Sequence, residues 1–288
     1  MPANSPSLSI VLPARNEAAA LRTLLPTLRA SQPDAEILVV DDGSTDDTAA
    51  LCEAAGVRRL AHPYGMGNGA AIKSGARAAT GDRICFMDAD GQHDPAEIDK
   101  LLLALDEGYA MVVGARAASG HANVARRFAN ACYNRFASWM TGRPVADLTS
   151  GLRVAETARF REFLHLLPNG FSYPTTSTMA FLRSGYAVRW VPVTVHKRLG
   201  KSHVNPLRDG VRFLLIIFKI GTLFSPMKIF GPVSLAFLLS GLALYGYTFA
   251  SEHRFTNMSG LLLSNAVLTF LIGLVSEQIT ALLYRERG

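Results

Sequence analysis

Residues 36–55, EILVVDDGSTDDTAALCEAA, decide the fold. An aliphatic run, Ile37 to Val40, breaks off at two aspartates, a glycine and a serine, after which Asp46–Ala55 takes up helical spacing. A nearly continuous apolar strand suits a sheet covered on both faces, and a polar turn into a helix marks a βα unit. The pattern recurs on both sides. LSIVL precedes a helix over Ala18–Ala30, VRRLA one over Gly69–Ala79, RICFM one over Pro95–Leu105, and AMVVG follows. Residues 1–114 therefore predict an α/β unit with a mostly parallel sheet and flanking helices. In such sheets ligands sit at the carboxyl ends of the strands, so the residues that follow each strand are the candidate site.

Three polar clusters hold those positions: Pro13-Ala14-Arg15-Asn16-Glu17, Asp41-Asp42-Gly43-Ser44 and Asp88-Ala89-Asp90-Gly91-Gln92. At one edge of one sheet they form a single cleft. Ser44 or Asp46 also fits the N-cap of the second helix. Carboxylates two residues apart on a turning backbone can both reach one hard divalent cation, so Asp88 and Asp90 are candidate metal ligands, with Gln92 as a further oxygen. The glycine-rich Gly65-Met66-Gly67-Asn68-Gly69, with Lys73 in the helix after it, is either a phosphate cradle or a plain surface turn. It fits neither G-x-x-x-x-G-K-S/T nor a G-x-G-x-x-G after the first strand, which argues against a dinucleotide site.

Of 288 residues, 49% are hydrophobic and 18% charged, which excludes a disordered chain and a minimal stapled domain. The formal charge of +6 is unevenly spread. Residues 1–110 hold nine basic and sixteen acidic side chains, whereas 111–227 hold sixteen and four, so the basic middle suggests an anionic partner. Nothing in this pattern calls for nucleic acid. Cys52, Cys85 and Cys132 are too few and too scattered for a disulfide framework or a C-x-x-C site, and read as reduced core thiols of a part that faces a reducing compartment. The opening MPANSPS has neither the basic nor the apolar region of a cleavable signal.

At the far end, Ile229–Ala250 and Phe255–Ser276 are two uncharged runs of 22 residues joined by Ser251–Arg254. Each reaches roughly 33 Å as a helix, enough to cross a bilayer core of about 30 Å. The two predict a transmembrane hairpin, with spans at about 229–250 and 258–283; a pair of buried helices in a soluble core is the plainer alternative. Lys228, Arg285 and Arg287 flank the spans, and the positive-inside bias puts both the N-terminal unit and the C-terminus in the cytoplasm. Residues 205–226 carry Arg208, Arg212 and Lys219 in an apolar setting and fit an amphipathic helix lying in the headgroup plane. The domain expectation is a cytoplasmic unit over 1–204, this interfacial segment over 205–226 and the hairpin over 227–288.

SIVLPARNEAAAL, ILVVDDGSTDDT, GMGNGAAIKSGARAATGD, FMDADGQHDP and Asp147-Leu148-Thr149-Ser150-Gly151 together resemble glycosyltransferase family 2, more narrowly the dolichyl- or polyprenyl-phosphate sugar synthases. The resemblance implies a GT-A fold, Rossmann-like, and an inverting, metal-dependent hexosyltransferase at the inner membrane. Its donor would be GDP-mannose or a UDP-sugar, its metal Mg²⁺ or Mn²⁺, and its acceptor a polyprenyl phosphate; a homo-oligomer is compatible with it. It implies that Pro13, Glu17 and Asp41 hold the donor nucleoside; Arg15, where the family often has an aromatic, and Asp42, Lys73 and Ser150 are further candidate substrate-binding residues. Asp88, Asp90 and Gln92 would hold the metal and diphosphate. Arg116, Arg126 and a basic-loop residue, Arg198 beside Lys197 and Lys201, would receive the lipid phosphate. Processive relatives carry Q-x-x-R-W; here Arg189-Trp190 has Tyr186 in the Gln position, which points to one sugar per turnover.

A hydroxyl acceptor needs a base, whereas a phosphate monoester, with a second pKa of about 6, is already ionised. The basic segment suits gathering anions, and Arg pairs phosphate in a planar, bidentate way. Arg135, Arg143, Arg159 and Arg161 read as surface cations. Two other readings stay open: transfer to another lipid or hydroxyl acceptor, for which Asp147 is the candidate base, and a non-catalytic nucleotide-sugar-binding membrane protein.

Overall fold

The computed structural model describes residues 6–116, 124–170, 172–196, 218–219 and 221–283, with backbone alone at 124–130 and 283. The chain divides into two compact units, 1–204 and 205–288.

The first unit is a seven-stranded sheet: β1 (Leu8–Ala14), β2 (Glu36–Asp41), β3 (Arg58–Ala61), β4 (Arg83–Phe86), β5 (Met111–Arg116), β6 (Arg153–Glu156) and β7 (Val188–Val193), in the order β3-β2-β1-β4-β6-β5-β7. Every expected strand and helix up to residue 114 is present. Helices α1 (Ala18–Ser31), α2 (Thr48–Ala54), α3 (Asn68–Ala78) and α4 (Glu97–Asp106) alternate with the first five strands, and α5 (Val124–Thr141), α6 (Thr157–Glu162) and α7 (Tyr173–Arg183) follow. β1 pairs in parallel with β2 and β4, and β5 with β7. Only β6 runs the other way, antiparallel to both β4 and β5. The carboxyl ends of β1, β2, β4, β5 and β7 thus share one edge, and the segment entering β6 from residue 147 arrives at that edge too.

The strand interiors explain why the sheet is covered on both faces: Ile37 to Val40 and Ile10 to Leu12 are each at most 2% exposed. Against one face pack Leu21, Leu24, Leu25 and Leu28 of α1 at helical spacing. α3 comes close through Gly75, where a Cβ would press into the side chains of Val11 and Val40. Burial of this aliphatic layer, at about 25 cal/mol per Å², is the main stabilising term.

The second unit contains α8 (Pro226–Glu252) and α9 (Asn257–Leu283), both long and apolar enough to cross a membrane. Leu239, Leu242 and Phe249 on α8, and Leu268, Ile272 and Val275 on α9, lie open on the helix surfaces. Core helices of a soluble protein would bury such side chains, so this exposure weighs against the plainer alternative. Between the helices Ser234 Oγ donates to Ala266 O (2.8 Å), while Gly241 and Gly273 admit Leu263 and Phe230 closely. Most of the interfacial segment expected over 205–226 lies outside the described residues.

Candidate active site

The tips of β1 and β2 are laced together by short polar links. Asn16, at φ 56°, donates its backbone N–H to Ser44 Oγ (3.0 Å), and its side-chain oxygen accepts from Thr45 N (2.8 Å). Asp46 accepts from Ala18 N (2.9 Å) and Thr48 N (3.2 Å), tethering the start of α1 to the turn before α2; the N-cap of α2 is Asp47, not Ser44 or Asp46 as expected, because the helix begins only at Thr48. Pro13 is half-buried in β1 opposite Val40, and half-buried Glu17 supplies the carbonyl that opens α1. Arg15 is exposed, its guanidinium lying over Gly65.

Asp41 is buried; its Oδ2 accepts from Arg59 Nε (2.9 Å) and Nη2 (2.8 Å), and its Oδ1 from Ser44 N (2.8 Å). Burial pushes this carboxyl up, but the bonds from Ser44 and Arg59 outweigh it and hold it below the ordinary value. Asp42 turns the other way. It accepts from Met66 N and Gly67 N, both at 2.8 Å, and pairs with His62 Nδ1 (2.8 Å), whose Nε2 meets Ser74 Oγ (2.9 Å). Asp42, expected to touch substrate, is the anchor of the glycine-rich loop.

That loop is neither phosphate cradle nor plain turn. Two N–H groups in the first turn of α3, on Gly69 and Ala70, donate to the carbonyls of Gly170 (3.1 Å) and Asn169 (2.9 Å). A Cβ at Gly67 or Gly69 would run into the Asn169 and Pro168 carbonyls. Lys73, expected at donor phosphate, instead donates to Leu167 O (3.2 Å) and to Asn169 Oδ1. The reason is packing: the amides and cation needed for phosphate are consumed in docking residues 167–170 onto α3.

Beyond β4, Asp88 and Asp90 are both half-buried, and Gly91 turns the chain at φ 72°. Asp90 Oδ1 accepts from Gln92 N (3.1 Å), and Gln92 O accepts from His196 N (2.8 Å). This stitches the loop to the end of β7. The Asp88 carboxylate lies against Gly151, where any Cβ would collide with it. Two hard carboxylates on one turn fit a divalent ion of the Mg²⁺ or Mn²⁺ kind; among the described residues no third His, Cys, Asp or Glu joins them, so other positions would fall to a ligand's oxygens and water.

Residues 147–153 complete the edge. Asp147 is 7% exposed and takes Arg116 through both oxygens: Nε to Oδ2 at 2.8 Å and Nη2 to Oδ1 at 3.0 Å. Arg116 Nη2 also reaches Thr149 Oγ1 (2.5 Å). Burial raises the Asp147 carboxyl, and the Arg116 guanidinium more than reverses this, holding it low. Trp190 Nε1 donates to Asp147 O (3.0 Å), which gives that tryptophan a structural post. Ser150 is fully buried. Arg126 lies in the first turn of α5 with its side chain outside the described residues, as are Lys197, Arg198 and Lys201. Arg135 and Arg143 are exposed as expected, and Arg159 pairs with Glu156 (2.7 Å). Arg161 is exposed as expected too, and donates to Ala76 O (2.8 Å) and Ala79 O (2.6 Å), closing the end of α3.

Two residues escaped the sequence reading. Arg153 is fully buried on β6; Nη1 donates to Pro174 O (2.8 Å), Ser177 Oγ (2.7 Å) and Thr178 Oγ1 (3.2 Å), and Nη2 to Ser150 O (2.5 Å). Burial lowers its pKa, and the nearby charges of Tyr173, Asp147 and Asp88 act in the opposite sense. His93 is 5% exposed, and its Nδ1 has no partner among the described residues. Burial pushes it down to about 4, an effect that the charge of Asp90 only partly offsets, so the ring is neutral at pH 7. The signal for His93 was its place in the strand-end loop. For Arg153 there was none.

The family model described as glycosyl transferase family 2 matches residues 9–164, and a second, the GtrB C-terminal hairpin, matches residues 225–282. Glycosyltransferase AglJ of Haloferax volcanii is 30% identical over 98% of this chain and 96% of its own length. The undecaprenyl-phosphate 4-deoxy-4-formamido-L-arabinose transferase of Yersinia pestis is 28% identical over 84% of this chain and 74% of its own. Among solved structures, glucosyl-3-phosphoglycerate synthase from Mycobacterium tuberculosis, in complex with Mn²⁺, uridine diphosphate and glucosyl-3-phosphoglycerate, superposes with a TM-score of 0.60. It is 22% identical and covers 75% of this chain and 78% of that one, a likeness of fold.

Proposed function

This chain belongs to glycosyl transferase family 2, and from that premise we propose that it moves one sugar from a nucleotide-sugar, GDP-mannose or a UDP-sugar, to a polyprenyl phosphate, with inversion. In this reading α8 and α9 hold it in the inner membrane, with the catalytic unit and the C-terminus on the cytoplasmic side. The observation that carries the acceptor assignment is the Arg116–Asp147 pair. Asp147 is the carboxylate a hydroxyl acceptor would need as base, and its two oxygens are taken by a guanidinium that keeps it ionised and weakly basic. A phosphate acceptor needs no such base. The name of the Yersinia relative, an undecaprenyl-phosphate sugar transferase, and the match to a membrane-type hairpin point the same way.

Each group then has a task. Asp41, beside Arg15 and Glu17, receives the nucleoside of the donor. Asp88, Asp90 and Gln92 would hold a divalent cation, which when bound offsets the charge that grows on the departing nucleoside diphosphate. The Mn²⁺ and uridine diphosphate in the mycobacterial structure support that choice of ligand class. Arg116 offers the acceptor phosphate its Nη1 edge while Asp147 fixes its plane; Arg126 and Arg198 are the further cations. The attacking oxygen is already an anion, so the residues orient it at the anomeric carbon and keep water from competing.

Purified protein incubated with labelled nucleotide-sugars, Mn²⁺ or Mg²⁺ and polyprenyl phosphate should form an acid-labile, lipid-linked sugar. Label appearing only in prenol, diacylglycerol or free sugar would overturn the acceptor assignment.

A further inference from the structure

α5 has two faces of opposite character. Tyr133, Ala137 and Met140 are buried inward. Outward, one turn apart, stand Cys132, Arg135 and Trp139, with Arg143 just beyond the helix, all exposed; Trp139 is 49% open, its ring 5.8 Å from that of Phe136. Residues 117–146 contain four arginines and neither Asp nor Glu. Half-open indole on one helix face with exposed guanidinium groups, in a stretch of sequence without carboxylates, matches the chemistry of a lipid headgroup layer, where the ring enters the acyl boundary and the cations meet phosphate.

We propose that the outer face of α5 rests on an anionic lipid surface and is a membrane contact of the catalytic unit in addition to the hairpin. This rests on the reading of α8 and α9 as membrane spans: a chain tethered in a bilayer presents its other surfaces to that bilayer at high effective concentration, so a modest patch suffices. The face is also wired to the site. Asn134 donates from Nδ2 to Ala146 O (2.6 Å) and accepts at Oδ1 from Leu148 N (3.1 Å), and Ser138 Oγ accepts from Val145 N (2.9 Å). The segment carrying Asp147 is therefore fastened to the inner side of α5. Docking of the outer side brings the Arg116–Asp147 pair towards the layer in which lipid phosphates lie.

Cys132 supplies the test: Cys52 and Cys85 are buried, as expected of core thiols, whereas Cys132, against that expectation, is exposed on the outer face of α5. The full chain, labelled at Cys132 with a polarity-sensitive fluorophore, is reconstituted in phosphatidylglycerol-containing vesicles. Headgroup-proximal nitroxide lipid should quench the label at least about twofold more than aqueous iodide, and Arg135→Glu with Arg143→Glu should reverse that ratio. Quenching by iodide in the unmutated chain would overturn the proposal. Shielding from both quenchers would overturn it too, by showing a protein surface, such as a second copy, over α5. Failure of the chain to float with vesicles after a carbonate wash would bring down the hairpin reading and this one together, whereas a floating chain with an iodide-accessible label removes this one alone.

Discussion

The tips of β1, β2 and β4 and the segment entering β6 meet at one sheet edge but are built in opposite ways. The first group is acidic, each cluster sits at the end of its own strand, and short backbone-to-side-chain links hold it: Asp41 to Ser44, Asp90 to Gln92, Asp46 to Thr48. The second is held by long-range charged contacts, Arg116 to Asp147 and Arg153 to α7, that depend on a strand running backwards. Geometry local in sequence tolerates change around it, whereas geometry assembled at a distance fails when one partner goes.

The sharpest way to break the contrast is at the acidic tips. Asp90→Ala should lower kcat/KM by about 10³-fold or more while circular dichroism stays native; turnover that survives this change, or excess EDTA, would remove the cation from the site. On the opposite half, Arg116→Lys cannot pair in a bidentate way, and kcat/KM for lipid phosphate should fall about 10- to 100-fold with little change in donor KM. Equal losses for both substrates would erase the division between the halves. Asp147→Asn should cost about 2 kcal/mol at pH 7, the third-open guanidinium moderating the loss of its partner. The sign follows from the lowered folded pKa: the wild type's advantage is full above the unfolded value near 4 and disappears as pH falls through the still lower folded one, measured as converging melting temperatures. Smallest of all, Lys73→Met should cost about 1 kcal/mol in stability and leave donor KM within about twofold, because its ammonium serves the 167–170 loop.

The same contrast explains what could be read in the sequence. LSIVL, EILVV and RICFM announced their strands because burial on both faces writes an unbroken apolar run, and the site residues just beyond them could be found by counting. Glycines 65–69 misled because an amide-rich helix start looks alike whether its N–H groups face a ligand or a carbonyl. Gly69 and Ala70 meet the carbonyls of residues about a hundred positions away, a pairing no local pattern records. Arg153 was hidden for a related reason: β6 is four residues long, and a buried guanidinium shared among Pro174, Ser177 and Thr178 resembles a surface charge in sequence. In the hairpin, length and the lack of charge sufficed.

Arg153 carries a consequence for the catalytic cycle. It is a fixed countercharge set in the protein's interior behind the aspartates, held by hydroxyls and carbonyls that do not titrate near neutrality. In the proposed reading Asp88 and Asp147 face this buried positive charge whether or not a donor and its cation are bound, so their mutual repulsion is offset in the empty cleft as well.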